Sequence, residues 1–447
     1  MSDGRWVAGT AREAAQGVAG GLLGGVLASV FVVSVTTLIK QTLAWVMRQD
    51  AWVMVAAPFA GIAVAVLVLN LVAHGQAVQH IASDAAPPRR FSAWLAFPAS
   101  AVRADLTADV VNNAGSEENF PWRLAPIRAA AIFATVGLGA PMGTESPAAH
   151  LGVAAGSALE RFGGRWRGLA RSAGVAGGAA GVAALMGLPL VGLAFMLELG
   201  RRSRAPLTLA RVLAASTGAL VGWGVNVVFN LNLIRLIVPA IVPGGLLRAL
   251  ATAALVGALS GAFGSVTGSA IYKARSWSAD PVVKFLTGGV VLLVCVLAIG
   301  LLATPAAAIG PGASAVSWAE TAKVSAWTLL AVVALRAAAT TAAVMAGGCG
   351  GLFVPLLSIG DLAGRALAPV LGVSSDLAAA AGSAGSIAGG YRLPLTAIAM
   401  VLTVGGPMPA RLTCVAAVGF ATASGVAAAY LLDRYVMNRG RKVADSH

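Results

Sequence analysis

Charged side chains are scarce in this chain: 11% of its 447 residues, against about a quarter in an ordinary soluble domain. Mean hydropathy is +0.84, and 58% of the residues are hydrophobic, which excludes a single water-soluble core as the site of so much apolar surface. Cysteine is nearly absent. Cys295, Cys349 and Cys414 are far apart, so neither a disulfide framework nor a zinc spacing is available. No clustered His, Asp or Ser stands on interfacial loops, and no phosphate-cradling glycine loop is found, which argues against a membrane-bound enzyme. A cleavable leader is not expected either. The first apolar run is too long and follows Arg5 and Arg12 without a cleavage pattern. No resident cofactor or metal is expected.

What the chain has instead are apolar runs of spanning length, among them Gly20–Ile39, Val53–Val72, Phe285–Leu302 and Leu412–Leu432. Roughly 18 to 20 such residues suffice to cross a bilayer. Glycine is plentiful, with 55 residues, and small residues let membrane helices approach closely. The net charge of +14 would point to nucleic acid in a soluble protein. Here the basic residues sit in short loops: Arg89–Arg90, Arg161 to Arg171, Arg201 to Arg204, Lys273 to Lys284, and the tail Arg434 to Lys442. The positive-inside rule makes those loops cytoplasmic and nucleic acid an improbable partner. The linker Phe229 to Gly245 carries only Arg235 and is expected outside, so both termini fall inside.

The sequence repeats itself. GTESPAAHLG (143–152) and GLFVPLLSIG (351–360) both read G-x-x-x-P-x-x-x-x-G, with prolines 355 − 147 = 208 apart. LPLVGLAFMLE (188–198) and LPLTAIAMVLT (393–403) follow in the same order, offset by 394 − 189 = 205. Two ordered pairs at nearly one offset predict duplicated halves, residues 15–230 and 243–435, flanked by short segments 1–14 and 436–447. Glycine followed by proline in a first turn starts a helix, and a helix start attracts anions through its amides and dipole. Broken helices at matching positions of two halves point to a transporter's binding site. Glu145 lies in the first of them. An intramembrane carboxylate is costly and is a functional candidate by default. A helix start favours its charged form, while desolvation and a neighbouring anion favour the neutral form, so the group is placed to toggle. The alternative is a carboxylate that merely caps the helix.

These residues resemble the CLC family of chloride channels and anion/proton antiporters. GTESPAAHLG is similar to a divergent G-(K/R)-E-G-P motif, GGLFVPLLSIG (350–360) to the G-x-F-x-P motif, and GSIAGGYRLPLTAIAMVL (385–402) to the late re-entrant segment. AAGVAALMGLPLVGLAFMLE (179–198) resembles the A-x-x-N-A-P-L-x-G-x-x-F-x-x-E stretch, and the likeness runs in order from about residue 50 to 435. It implies an all-α polytopic fold with two inverted repeats and re-entrant helices, in a bacterial-style inner membrane. It also implies a homodimer whose subunits each carry an anion pathway, with chloride, and protons in the coupled members, as the transported ions. Glu145 would be the gate. Amides of Gly143, Thr144, Glu145 and Ser146 would line an outer anion site, and those of Leu352 and Phe353 a central one. Tyr435 would supply the family's central tyrosine, with Tyr430 as its rival.

The departures carry information too. Thr144 replaces the basic residue before the gate, and Ser146 replaces the glycine after it. The early G-S-G-I-P motif is missing where the chain reads AHGQAVQHIASDAAPP (73–88), leaving Gln76 or His74 near the usual pore serine. The stretch VVNNAGSEENFPW (110–122) lengthens the approach to the gate and reads as a cytoplasmic excursion, and His74, His80 and His150 as packing or interfacial residues. The coupled exchangers carry two adjacent acids at the inner end of the first LPL segment, where this chain has Glu198 and Leu199. Leucine accepts no proton. Glu198 either substitutes as the relay or pairs with Arg201 or Arg202 one turn on, and the pairing is preferred. The resemblance thus implies anion transport weakly coupled to protons or uncoupled. With 12 residues after Tyr435, no cytoplasmic nucleotide-binding regulatory domain is expected.

Overall fold

A computed structural model describes residues 3–82, 106–231, 245–322, 324–403 and 412–444. The side chains of His74, Gln76 and His80, and the Arg89–Arg90 loop, lie outside the described residues. The described residues are helical throughout, and their one β feature is an isolated antiparallel bridge between Gly143 and Gly351. They form two compact units. The first comprises Met1–Gln49, Ala57–Leu233 and Gly347–Gly351; the second comprises Asp50–Ala56, Ile234–Ala346 and Leu352–His447.

The first unit is built from α1 (Asp3–Val46), most of α2 (Ala51–Ala82), α3 (Leu106–Asn112), α4 (Ala125–Gly137), α5 (Glu145–Ser157), α6 (Gly164–Met186), α7 (Pro189–Arg202) and α8 (Leu209–Val228). The second holds α9 (Leu246–Ser276), α10 (Pro281–Leu302), α11 (Pro305–Ala308), α12 (Ala313–Thr321), α13 (Ala326–Met345), α14 (Phe353–Leu371), α15 (Ser375–Gly390), α16 (Pro394–Thr403) and α17 (Leu412–Ala444). Among the described residues nine helices are long and apolar enough to cross a membrane, and the four apolar runs read from sequence fall on four of them. Others are too short. At about 1.5 Å per residue, the 13 residues of α5, 14 of α7 and 10 of α16 reach roughly 20, 21 and 15 Å, short of a core about 30 Å thick. Helices this short do not cross a bilayer alone, and irregular backbone at membrane depth survives only when packed in protein or lining a cavity.

Each unit is organised around one small-residue helix. In the first, α6 packs against α1, α5 and α8; in the second, α15 packs against α9, α14 and α17. The contacts repeat at residue level. A Cβ on Gly152 would collide with the Gly177 carbonyl and one on Gly177 with that of Gly152; Gly360 and Gly382 stand in the same reciprocal relation. The offsets, 360 − 152 = 208 and 382 − 177 = 205, are those of the sequence motifs. The duplication therefore extends to the way backbones cross, and glycine is needed because no side chain fits between them.

The stretch 110–122 is packed within the first unit: Val110, Glu117 and Phe120 are at most 3% exposed, as are Leu106 and Leu124 on either side of it. Of its acids, Glu117 pairs with the buried Arg211 and Glu118 with the exposed Arg171.

Candidate anion site

Helix α4 ends at Gly137, and the chain turns through Gly139, at φ +90°, to reach Gly143. Gly143 and Gly351 exchange both backbone hydrogen bonds: Gly143 N–H donates to Gly351 O at 2.7 Å, and Gly351 N–H to Gly143 O at 2.6 Å. Each glycine lies two residues before a helix start, Glu145 of α5 and Phe353 of α14. The segment Gly347–Gly351 is seated in the first unit by a further bond, Cys349 N–H to Thr135 Oγ1 at 3.1 Å. Close fit excludes side chains there. A Cβ on Gly350 would lie 2.7 Å from Met142 Cβ, and one on Gly351 3.2 Å from both Ser146 N and Pro147 Cδ.

Both expected helix starts form, with Pro147 and Pro355 as the third residue of each helix. Neither cap residue, Thr144 or Leu352, gives its helix a side-chain acceptor. Glu145 is 2% exposed at the first position of α5, and Thr144 Oγ1 donates to its Oε1 at a long 3.5 Å. A carboxylate thus sits at an uncapped, proline-started helix end with glycine backbone packed beside it. Chemically this arrangement binds negative charge, whether the protein's own or a solute's. Gly143 and Ser146 are buried and Thr144 half-buried; in the second unit Phe353 is buried and Leu352 half-buried.

The remaining sequence candidates fall as follows. Leu199 is fully buried on α7 and Glu198 half-buried beside it. Tyr435 and Tyr430 lie on exposed faces of α17, at 58% and 65%. The tyrosine packed on Phe353 is one the sequence reading did not weigh. Tyr391, at the C-terminal end of α15, is 8% exposed and meets the Phe353 ring edge-on, with centroids 5.7 Å apart and planes at 79°. It stood in the quoted stretch GSIAGGYRLPL, three residues before a helix-starting proline, and that was its only signal.

A second feature was also missed. Arg128 on α4, 1% exposed, donates from Nη1 to His150 Nε2 at 2.9 Å and pairs with Asp109 at 2.5 Å. Because a guanidinium only donates, His150 Nε2 must accept, leaving Nδ1–H to donate to Leu106 O at 3.4 Å. His150 is therefore a neutral, packed imidazole, with Phe120 edge-on at 5.0 Å. In the second unit Arg336 on α13 is equally buried and donates to Ala307 O at 2.6 Å and Gly310 O at 2.9 Å. That loop also takes the Ser358 hydroxyl, which donates to Pro311 O at 3.3 Å. Arg336 − Arg128 and Ser358 − His150 both give 208, and each arginine opens the tetrapeptide Arg-Ala-Ala-Ala. Each unit thus places a buried arginine on the helix before its Gly/Pro helix start, as a brace for the segment around it. Further out, Arg365 is satisfied by Asp361 at 2.6 Å and Glu320 at 3.0 Å, and Arg211 by Glu117 at 2.6 Å, so these guanidiniums are structural.

A family model described as voltage gated chloride channel matches residues 91–428. The H(+)/Cl(-) exchange transporters ClcA of Salmonella typhi and Salmonella typhimurium are each 28% identical over 317 residues, covering 66% of this chain. The match spans 65% of the length of these curated relatives. A solved slow cyanobacterial Cl-/H+ antiporter superposes with a TM-score of 0.65 at 19% identity, covering 95% of this chain and 99% of its own. A CLC-type fluoride/proton antiporter gives 0.64 at 19%, covering 94% and 95%. At such identities the likeness establishes the fold: an all-α membrane protein with repeated halves and broken helices.

Proposed function

The chain belongs to the voltage-gated chloride channel (CLC) family, and from that premise we propose that it moves chloride across a bacterial inner membrane. The pathway lies within each subunit of a homodimer, and Glu145 gates it. The observation that carries this reading is the buried Glu145 at the uncapped start of α5, two residues after the glycine that pairs with Gly351. Anions compete with that carboxylate for the helix end formed by Gly143, Thr144, Glu145 and Ser146. Amides of Leu352 and Phe353 at the start of α14 make the central station, and Tyr391 supports it from the side.

Proton coupling is weak in this reading, because Leu199 stands fully buried at the inner relay position. A second reading is favoured by the curated relatives, which are named as proton/chloride exchangers. In it Glu198 is the inner relay. The fluoride/proton antiporter among the structural neighbours keeps another anion in play, since a shared fold does not choose the ion. Purified protein in liposomes, loaded with chloride or fluoride, separates these readings when anion efflux and external pH are recorded together. Absence of anion efflux in every loading overturns the function; efflux with stoichiometric uphill proton entry replaces the first reading with the second.

A further inference from the structure

A groove of about 640 Å³ opens on the first unit, between the middle of α1 and the far end of α5. Its walls include Leu22, Val26, Leu27, Ala155, Leu159 and Trp166. The volume is within the range of roughly 300–1,000 Å³ typical of small-molecule sites, and the lining is apolar. Leu22, Val26 and Leu27 are 50%, 52% and 42% exposed, so the groove is open along a helix that the sequence assigns to the bilayer. Leu159 and Trp166 in its wall pack against the buried Ala170 and Ala173.

One end is basic. After α5 the chain passes through a 3-10 turn, Ala158–Phe162, into α6, carrying Arg161, Arg165 and Arg167, all exposed. Arg161 lies over the Phe162 ring at 4.4 Å and Arg165 over the Trp166 ring at 5.2 Å. Stacking uses the flat face of a guanidinium and leaves its N–H edge for another acceptor. Among the described residues neither arginine pairs with a carboxylate, whereas Arg171 is taken by Glu118. An apolar slot beside a helix assigned to the bilayer, with Arg161 in its wall and Arg165 stacked on the wall residue Trp166, has the shape of a lipid: chain in the slot, phosphate at the arginines. Basic pockets between membrane helices on the cytoplasmic side bind anionic headgroups, and the positive-inside rule puts this turn on that side.

We propose that this groove is a binding site for one anionic phospholipid, its acyl chain between α1 and α5 and its headgroup phosphate on Arg161 and Arg165. The occupied groove braces the end of the helix that begins at Glu145, so the lipid supports the gate from behind.

The test uses the full-length chain in phosphatidylcholine vesicles doped with either phosphatidylglycerol or further phosphatidylcholine, the dopant carrying brominated acyl chains. Trp166 emission is read as the difference between wild type and Trp166→Phe. Brominated phosphatidylglycerol should quench Trp166 more strongly than brominated phosphatidylcholine. Arg161→Gln should cut that preference roughly fivefold, and Arg161→Gln with Arg165→Gln should abolish it. Ala158→Phe, which fills the slot and keeps both arginines, should lower quenching by either lipid. Equal quenching of the wild type by the two lipids means ordinary solvation and overturns the proposal. Unquenched Trp166 in both means that protein, such as a second copy of the chain, covers the groove, and overturns it as well. A phosphatidylglycerol preference that survives Ala158→Phe assigns the attraction to surface charge alone and removes the groove from the account.

Discussion

In the proposed pathway Glu145 and a transported anion compete for one helix start. The Glu145 carboxylate is 2% exposed at the first position of α5, where the helix start favours negative charge, and Thr144 adds a long hydroxyl contact. A glutamine there keeps the volume and loses the charge. Glu145→Gln should therefore flatten the pH dependence of anion efflux from liposomes, with flux at neutral pH rising toward the wild-type value at low pH. An unchanged pH profile would remove Glu145 as the gate. Tyr391 is tested by its hydroxyl alone. Tyr391→Phe keeps the edge-on contact with Phe353, so the fold should hold while chloride affinity drops several-fold, as when one neutral hydrogen bond is lost. Titration calorimetry with chloride measures it, and affinity equal to wild type would return the role to Tyr435 or Tyr430. The helix start at Glu145 was readable from sequence because proline and glycine announce one. Tyr391 was not, because which aromatic meets Phe353 depends on where α15 ends in space. The brace arginines lie between these cases. Arg128 and Arg336 share the 208-residue offset and the Arg-Ala-Ala-Ala tetrapeptide, but one arginine at an apolar helix position carries no sign of its partners. Arg128→Gln leaves Asp109 without its cation and His150 without its donor. Breaking such a buried pair costs about 3–5 kcal/mol, which a lower thermal inactivation temperature in detergent would register.

Helices in the two units cross where glycine meets glycine, and this decides how substitutions at the element scale behave. A methyl on Gly152 would press on the Gly177 carbonyl, and a methyl on Gly360 on that of Gly382, both backbone atoms that cannot rotate away. Gly152→Ala and Gly360→Ala should each destabilise by about 1–3 kcal/mol, the usual cost of overpacking. Gly168 lies on the same helix as Gly177 with nothing near its missing Cβ, so Gly168→Ala should be neutral or slightly stabilising, by up to about 1 kcal/mol. Size-exclusion thermostability in detergent ranks the three. Equal behaviour of all three would mean that the crossings are not tight. The two helix starts and the apolar spans were legible because periodicity and proline fix them locally. The packing of residues 106–124 was not: Leu106 and Val110 mark only two turns of helix before 3-10 pieces and turns, and Glu117 reads as a surface acid until Arg211 is seen against it.

Across the whole molecule the open matter is whether anion flow is tied to protons, and this turns on the inner half of the first unit. A relay needs a group that gains and loses a proton, and the fully buried Leu199 does neither. Glu198 is half-buried one residue earlier, in the same last turn of α7 as Arg201 and Arg202. An imposed chloride gradient should then drive little uphill proton movement in wild-type liposomes. Leu199→Glu puts a carboxyl at the relay position and should raise the proton flux per chloride, with Glu145→Gln in the same background returning it to zero because the outer acceptor is gone. The direction of the gradient matters as well. If the loops at Arg165, Arg202 and Lys273 face the cytoplasm, externally applied thiol reagents in intact cells should miss cysteines placed there, and the inner end of α7 is the proton-releasing side. Labelling of two of the three from outside would reverse that assignment. Robust uphill pumping by wild type, lost in Glu198→Gln, would make Glu198 the relay and show that its arginine neighbours do not hold it charged.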